Sequence, residues 1–117
     1  MNLLHETIED IRASGHDPED IIFIGSEETG HSCTWDEYKI LANIDYDRGS
    51  GAQEVACDLK IVFSDRSRMW RDELNGFECW LYSKPFVMPK EKREITRLVV
   101  NENEVGWKSL ENLNDVS

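Results

Sequence analysis

Residues 53–83 read QEVACDLKIVFSDRSRMWRDELNGFECWLYS, and their pattern decides the fold. Val55, Cys57, Leu59, Ile61 and Phe63 occupy alternate positions, the period of a strand with one buried face. Asn75-Gly76 separates two further runs, and Asn-Gly suits a two-residue type I′ turn because both central residues need positive φ. That turn sets Leu74 opposite Phe77, Arg71 opposite Trp80 and Met69 opposite Tyr82. A loop around Asp65-Arg66 is expected to set Phe63 opposite Arg68, Val62 opposite Met69 and Ile61 opposite Trp70. One face then collects Val55, Cys57, Leu59, Ile61, Phe63, Trp70, Leu74, Phe77, Cys79 and Leu81 as the expected core. The other carries Asp58, Lys60, Val62, Met69, Arg71, Glu73, Glu78, Trp80 and Tyr82, with Arg71 over Trp80 as a cation–π pair. A face so mixed calls for cover, by the C-terminal segment or by a partner.

Upstream, Asn2 is placed to cap a helix over about 3–13, with Gly15 just past its end. Leu4, Ile8 and Ile11 form its apolar stripe, while Glu6, Glu9 and Asp10 are expected to face water. Asp17-Pro18 marks a turn or a single helical turn, and IIFIG at 21–25 reads as a buried strand. Thr34-Trp-Asp-Glu37 is a capping box opening a second helix over about 35–43. Gly49 and Gly51 in the following loop suggest backbone at positive φ, or a wide flexible excursion before the sheet. Beyond Ser83, Pro85 and Pro89 bracket an extended link, and ITRLVV at 95–100 is a further strand candidate. The expected fold is α+β. An antiparallel meander over about 54–83, with 21–25 and 95–100 as candidate additions, is packed on one face by the two short helices. The 117 residues suit a single domain, 1–117, with 101–117 as a loosely ordered tail.

Charge is the most informative feature of composition. The formal net charge is −11, and residues 1–58 hold 14 acids against 3 bases while the remainder balances at 10 and 10. Such a field repels nucleic acid and membrane surfaces and favours basic protein surfaces. Lys84, Lys90, Lys92, Arg93 and Arg97 form a basic cluster that Glu91 and Glu94 dilute. No apolar segment approaches the roughly 18 residues of a membrane span, no signal-peptide pattern opens the chain, and three cysteines lack framework spacing. A soluble, intracellular protein with reduced thiols is expected.

Chemical motifs are weak throughout. His31-x-Cys33 lacks the paired spacing of a zinc site, and Cys57 and Cys79 alternate with apolar residues. Asp45-x-Asp47-x-Gly49 fails as a calcium loop, because Ser50 and Ala56 stand where Gly and Glu are required. Asp58-x-Lys60 is a two-residue match to a metal-dependent nuclease, on a surface too acidic for DNA. No metal, cofactor or catalytic residue is assigned, and no enzymatic activity is expected.

The stretch from Thr34 to Ser83, TWDEYKILANIDYDRGSGAQEVACDLKIVFSDRSRMWRDELNGFECWLYS, resembles small acidic proteins encoded by bacteriophages and prophages. Their pattern is Thr/Ser-Trp-Glu/Asp-Glu, an acidic Tyr-Asp-x-Gly loop, Gln-Glu-Val-Ala, an alternating strand and a hairpin ending in Glu-x-Trp. Cys79 departs from it, standing where a second Trp is commoner. The resemblance implies a non-enzymatic inhibitor of a host defence complex, of the CRISPR or restriction type, acting in the cytoplasm of an infected or lysogenic bacterium. Its carboxylates would imitate phosphates against a basic host protein or ribonucleoprotein, without contacting nucleic acid itself. The residues for that contact are Glu27, Glu28, Asp36, Glu37, Asp45, Asp47 and Glu54. The alternative is an accessory structural or regulatory phage protein that binds its partner through Trp80 and Tyr82. A small metal-dependent nuclease is the third reading.

Overall fold

The computed structural model describes residues 1–49 and 52–114. These fall into two compact units, Met1–Phe86 and Val87–Ser117, the second described to residue 114. The first unit holds helix α1 (Leu3–Ala13), a 3₁₀ turn at Pro18–Asp20, strand β1 (Ile21–Gly25) and helix α2 (Trp35–Leu41). Strands β2 (Lys60–Phe63), β3 (Arg68–Leu74) and β4 (Phe77–Ser83) complete it. The four strands form one antiparallel sheet in the order β1-β2-β3-β4. The fold is the expected α+β meander, with 21–25 as its fourth strand.

Local chemistry explains the helix boundaries. The Asn2 side chain accepts from the His5 amide, and Gly15 takes φ 84° after the last turn of α1. Thr34 and Glu37 close their capping box with bonds of 3.2 and 2.9 Å. The start of α1 also meets the end of α2: the Leu3 and Leu4 amides donate to the carbonyls of Ile44 and Ala42 at 3.0 and 2.9 Å. Orphan donors of one helix thus satisfy orphan acceptors at the end of the other.

The hairpin register at Asn75-Gly76 is as expected, with φ of 54° and 84° and Leu74 facing Phe77. The β2–β3 register is not. Phe63 donates to the Ser67 carbonyl at 2.9 Å, and Ile61 pairs with Met69 rather than Trp70. Three residues, Ser64 to Arg66, make this loop, and Arg66 adopts φ 73°, the conformation that closes a three-residue hairpin with a bulge. The loop is one residue shorter than the expected pairing requires. Because side chains alternate, that shift exchanges the faces of β3 and β4. Met69, Arg71, Glu78 and Trp80 are buried with Ile61 and Phe63, whereas Leu74 and Phe77 are exposed and Trp70, Cys79 and Leu81 are half-buried.

Other expectations are corrected by what the backbone bonds to. Strand β2 starts at Lys60, not near 54, since the amides of Glu54 and Val55 donate to the Glu78 carboxylate instead of to a strand. Cys57 is therefore exposed rather than part of the core. Glu6 is buried rather than solvated, turned inward by its ion pair with Arg71. Gly49 has no positive φ and lies against the Phe77 ring, and Gly51 is outside the described residues.

The core joins both helices to the inner face of the sheet through Leu3, Ile11, Ile24, Tyr38, Ala42, Ile61, Phe63, Met69 and Trp80. In the second unit, 95–100 is not a strand. Its Thr96 and Arg97 amides donate to the Asn114 side chain, at the end of the short helix α3 (Leu110–Asn114), and Arg97 pairs with Glu104. The described part of 101–117 is thereby tied into this unit, with Leu113 buried.

Candidate functional site

The structure sorts the seven acids singled out above into three groups. Glu27 and Glu28, in the turn after β1, flank Lys60 at 3.7 and 4.0 Å. Asp36 and Glu37 open α2, where Asp36 pairs with Lys39 at 3.1 Å and Glu37 is engaged by the helix cap. Hydrogen bonds from Thr34 hold the Glu37 carboxyl below the usual range. Asp45, Asp47 and Glu54 form the third group: Glu54 accepts from the Asp47 amide at 2.6 Å, and Asp45 bridges to Asn2. All seven are exposed.

A buried charge cluster holds the third group in place. Arg71 lies 3.1 Å from Glu6 and 3.7 Å from Glu78, and it donates to the Tyr46 hydroxyl at 2.9 Å. Tyr46 in turn donates to Glu6 at 2.5 Å. Burial would lower the Arg71 pKa, but Tyr46 and Glu6 outweigh it and the net shift is upward. Burial and the bond to Glu6 push the Tyr46 hydroxyl up to about 12. Glu78 completes the anchorage, accepting from the Glu54 and Val55 amides at 2.8 and 3.1 Å while its backbone exchanges bonds with Arg48. The loop that carries Asp45, Asp47 and Glu54 is thus pinned from both ends to strands β3 and β4.

Trp80 does not stand on an outer face. It is 7% exposed, its indole donates to the Thr7 hydroxyl at 3.1 Å, and Tyr38 shares that hydroxyl at 2.8 Å. The cation–π pair with Arg71 is present at 5.1 Å, but in the interior. Burial corrects its assignment as an exposed partner-binding residue, and Tyr82 is half-buried on the same inner face.

Sequence spacing gave no sign of two groupings. One is the Arg71 cluster: Arg71 and Glu78 are expected on one face, but only the shorter β2–β3 loop turns that face to the core, where they meet Glu6. The other joins His16, Asp65 and Ser67. His16 stacks on Phe63 at 4.2 Å, and its Nε2 meets both Asp65, at 2.9 Å, and Ser67, at 3.0 Å. These are the residue types of a hydrolytic triad in a different connectivity. A triad carboxylate holds Nδ1 and leaves Nε2 to the serine, whereas here both partners share Nε2 and Ser67 is fully buried. The grouping clasps the β2–β3 loop to the chain after α1. Hydrogen bonds from Ser67 and His16 hold the Asp65 carboxyl down at about 2. A depressed carboxyl stabilises above its unfolded pKa, and that contribution is lost as pH falls through the folded value. Between pH 3.8 and about 2 we expect the urea midpoint to fall, with a shallower fall for Asp65→Asn. An unchanged slope in that variant would assign the acid sensitivity to other carboxyls.

Among the described residues no group of three or more His, Cys, Asp or Glu side chains could hold a metal ion, and no helix is long and apolar enough to cross a membrane. Comparison with known protein families, curated proteins and solved structures finds no match.

Proposed function

We propose that this chain is a non-enzymatic phage or mobile-element protein that inhibits a host defence complex, of the CRISPR or restriction type. It acts in the cytoplasm of the bacterial host by occupying a basic, nucleic-acid-contacting surface. The observation that carries this reading is the distribution of charge: residues 1–86 hold 18 acids against 8 bases, and every acid of the three groups is exposed. Part-buried bonds to Tyr46, Glu54 and Val55 hold the neighbourhood of Asp45, Asp47 and Glu54, so these acids meet a partner at little ordering cost. The resemblance of residues 34–83 to acidic phage proteins points the same way.

The test is salt-dependent binding to purified CRISPR effector and restriction complexes, in competition with their nucleic acid. Asp36→Lys with Asp45→Lys is the variant of choice, since Glu37 and Glu54 also serve the fold. We expect the native chain to bind with an affinity that falls as salt rises, and the reversed chain to lose about tenfold or more at low salt. Equal affinity of the two chains would remove the electrostatic basis of the proposal.

A further inference from the structure

Beside the pinned acidic loop lies an apolar cleft of about 430 Å³, within the range of cavities that hold ligand groups. Its floor is Leu3, Tyr38 and Ala42, all buried, and its rim carries Leu41 and Ile44, which are 69% and 59% exposed. Two large aliphatic side chains left in water at the mouth of an apolar recess are a cost that an incoming apolar group would relieve. Among the described residues that line the cleft the charged ones are both acidic, Asp45 and Glu54, and none is Lys, Arg or His. The wall is preformed, because the amides of Glu54 and Val55 are held by Glu78 and Tyr46 is held by Glu6.

We infer that this cleft receives one apolar side chain from a basic segment of a partner protein, with flanking Lys or Arg side chains on Asp45 and Glu54. Charge complementarity selects that occupant. Nucleic acid is repelled by the same carboxylates, and a second copy would bring another net charge of −11 to the same surface. The inference rests on the proposed binding of a basic protein and adds what a purely phosphate-mimicking surface lacks, an apolar anchor at its centre.

Two short synthetic Lys/Arg-rich peptides, identical except for a central Phe in one and Ser in the other, test it by fluorescence anisotropy on the full chain. The Phe peptide should bind at least about tenfold tighter. Leu41→Ser with Ile44→Ser, both at exposed positions, should erase that difference while leaving affinity for the Ser peptide unchanged. Equal affinity of the two peptides for the native chain, or no binding of either, overturns the inference. A dimer in solution that the same double variant disperses also overturns it, in favour of a second copy as occupant. The proposed function fails by a separate result, undiminished binding of host complexes by the charge-reversed chain.

Discussion

Arg71→Met should destabilise the chain by about 3–5 kcal/mol, the range found when one partner of a buried ion pair is removed. The side chain is 3% exposed, between Glu6 and Glu78 that are each 6% exposed, so its loss strands two carboxylates where water does not compensate them. Methionine keeps much of the volume, so the loss reports charge more than cavity. Urea unfolding of Arg71→Met beside Arg68→Met separates the two, because Arg68 is exposed on the same strand and its replacement should stay within about 0.5 kcal/mol. Comparable effects of both substitutions would mean that the cluster does not hold the fold. The same variant should raise hydrogen exchange at Tyr46 and Asp47, since the Tyr46 hydroxyl loses its guanidinium partner. The acidic loop is thereby linked to the core: what stabilises the sheet also positions the carboxylates proposed to meet a partner.

What could be read in the sequence followed from short-range chemistry. Asn2, Gly15 and the Thr34–Glu37 box mark helix ends because capping is decided within three or four residues. Asn75-Gly76 sets the β3–β4 register for the same reason. The β2–β3 loop carries no comparable signal. A three-residue loop closes with a residue at positive φ, and that residue is Arg66, which ordinarily avoids this conformation. Its neighbours supply the reason it is tolerated: Asp65 accepts from the Ser67 amide at 2.9 Å, and His16, from far along the chain, clasps both. A loop held by a distant histidine is not legible from its own residues. The exposed acids were legible as residue types, but not their grouping, because Tyr46 and Glu54 are placed by Glu6, Arg71 and Glu78. The apolar cleft was not legible because its walls come from stretches far apart in the chain, Leu3, Cys33, residues 38–46 and residues 54–59, which only the fold brings together.

Trp80→Ala decides between the two assignments of the sheet faces, and it should cost about 3–5 kcal/mol. The indole is buried among both helices and the sheet, it stacks over Arg71, and its removal also takes a hydrogen-bond donor from Thr7. Trp70 is the matched control. It sits on the opposite face, half-buried across from Lys60 and Leu81, where a cross-strand pair contributes at most about 1 kcal/mol. On the alternation expected from sequence the order would be reversed, with Trp70 in the core and Trp80 at the surface. Denaturant unfolding of the two alanine variants therefore reads the length of the β2–β3 loop directly. A larger loss at Trp70 would return Met69, Arg71 and Glu78 to the surface, dissolve the buried charge cluster, and free the acidic loop that the proposed binding surface depends on.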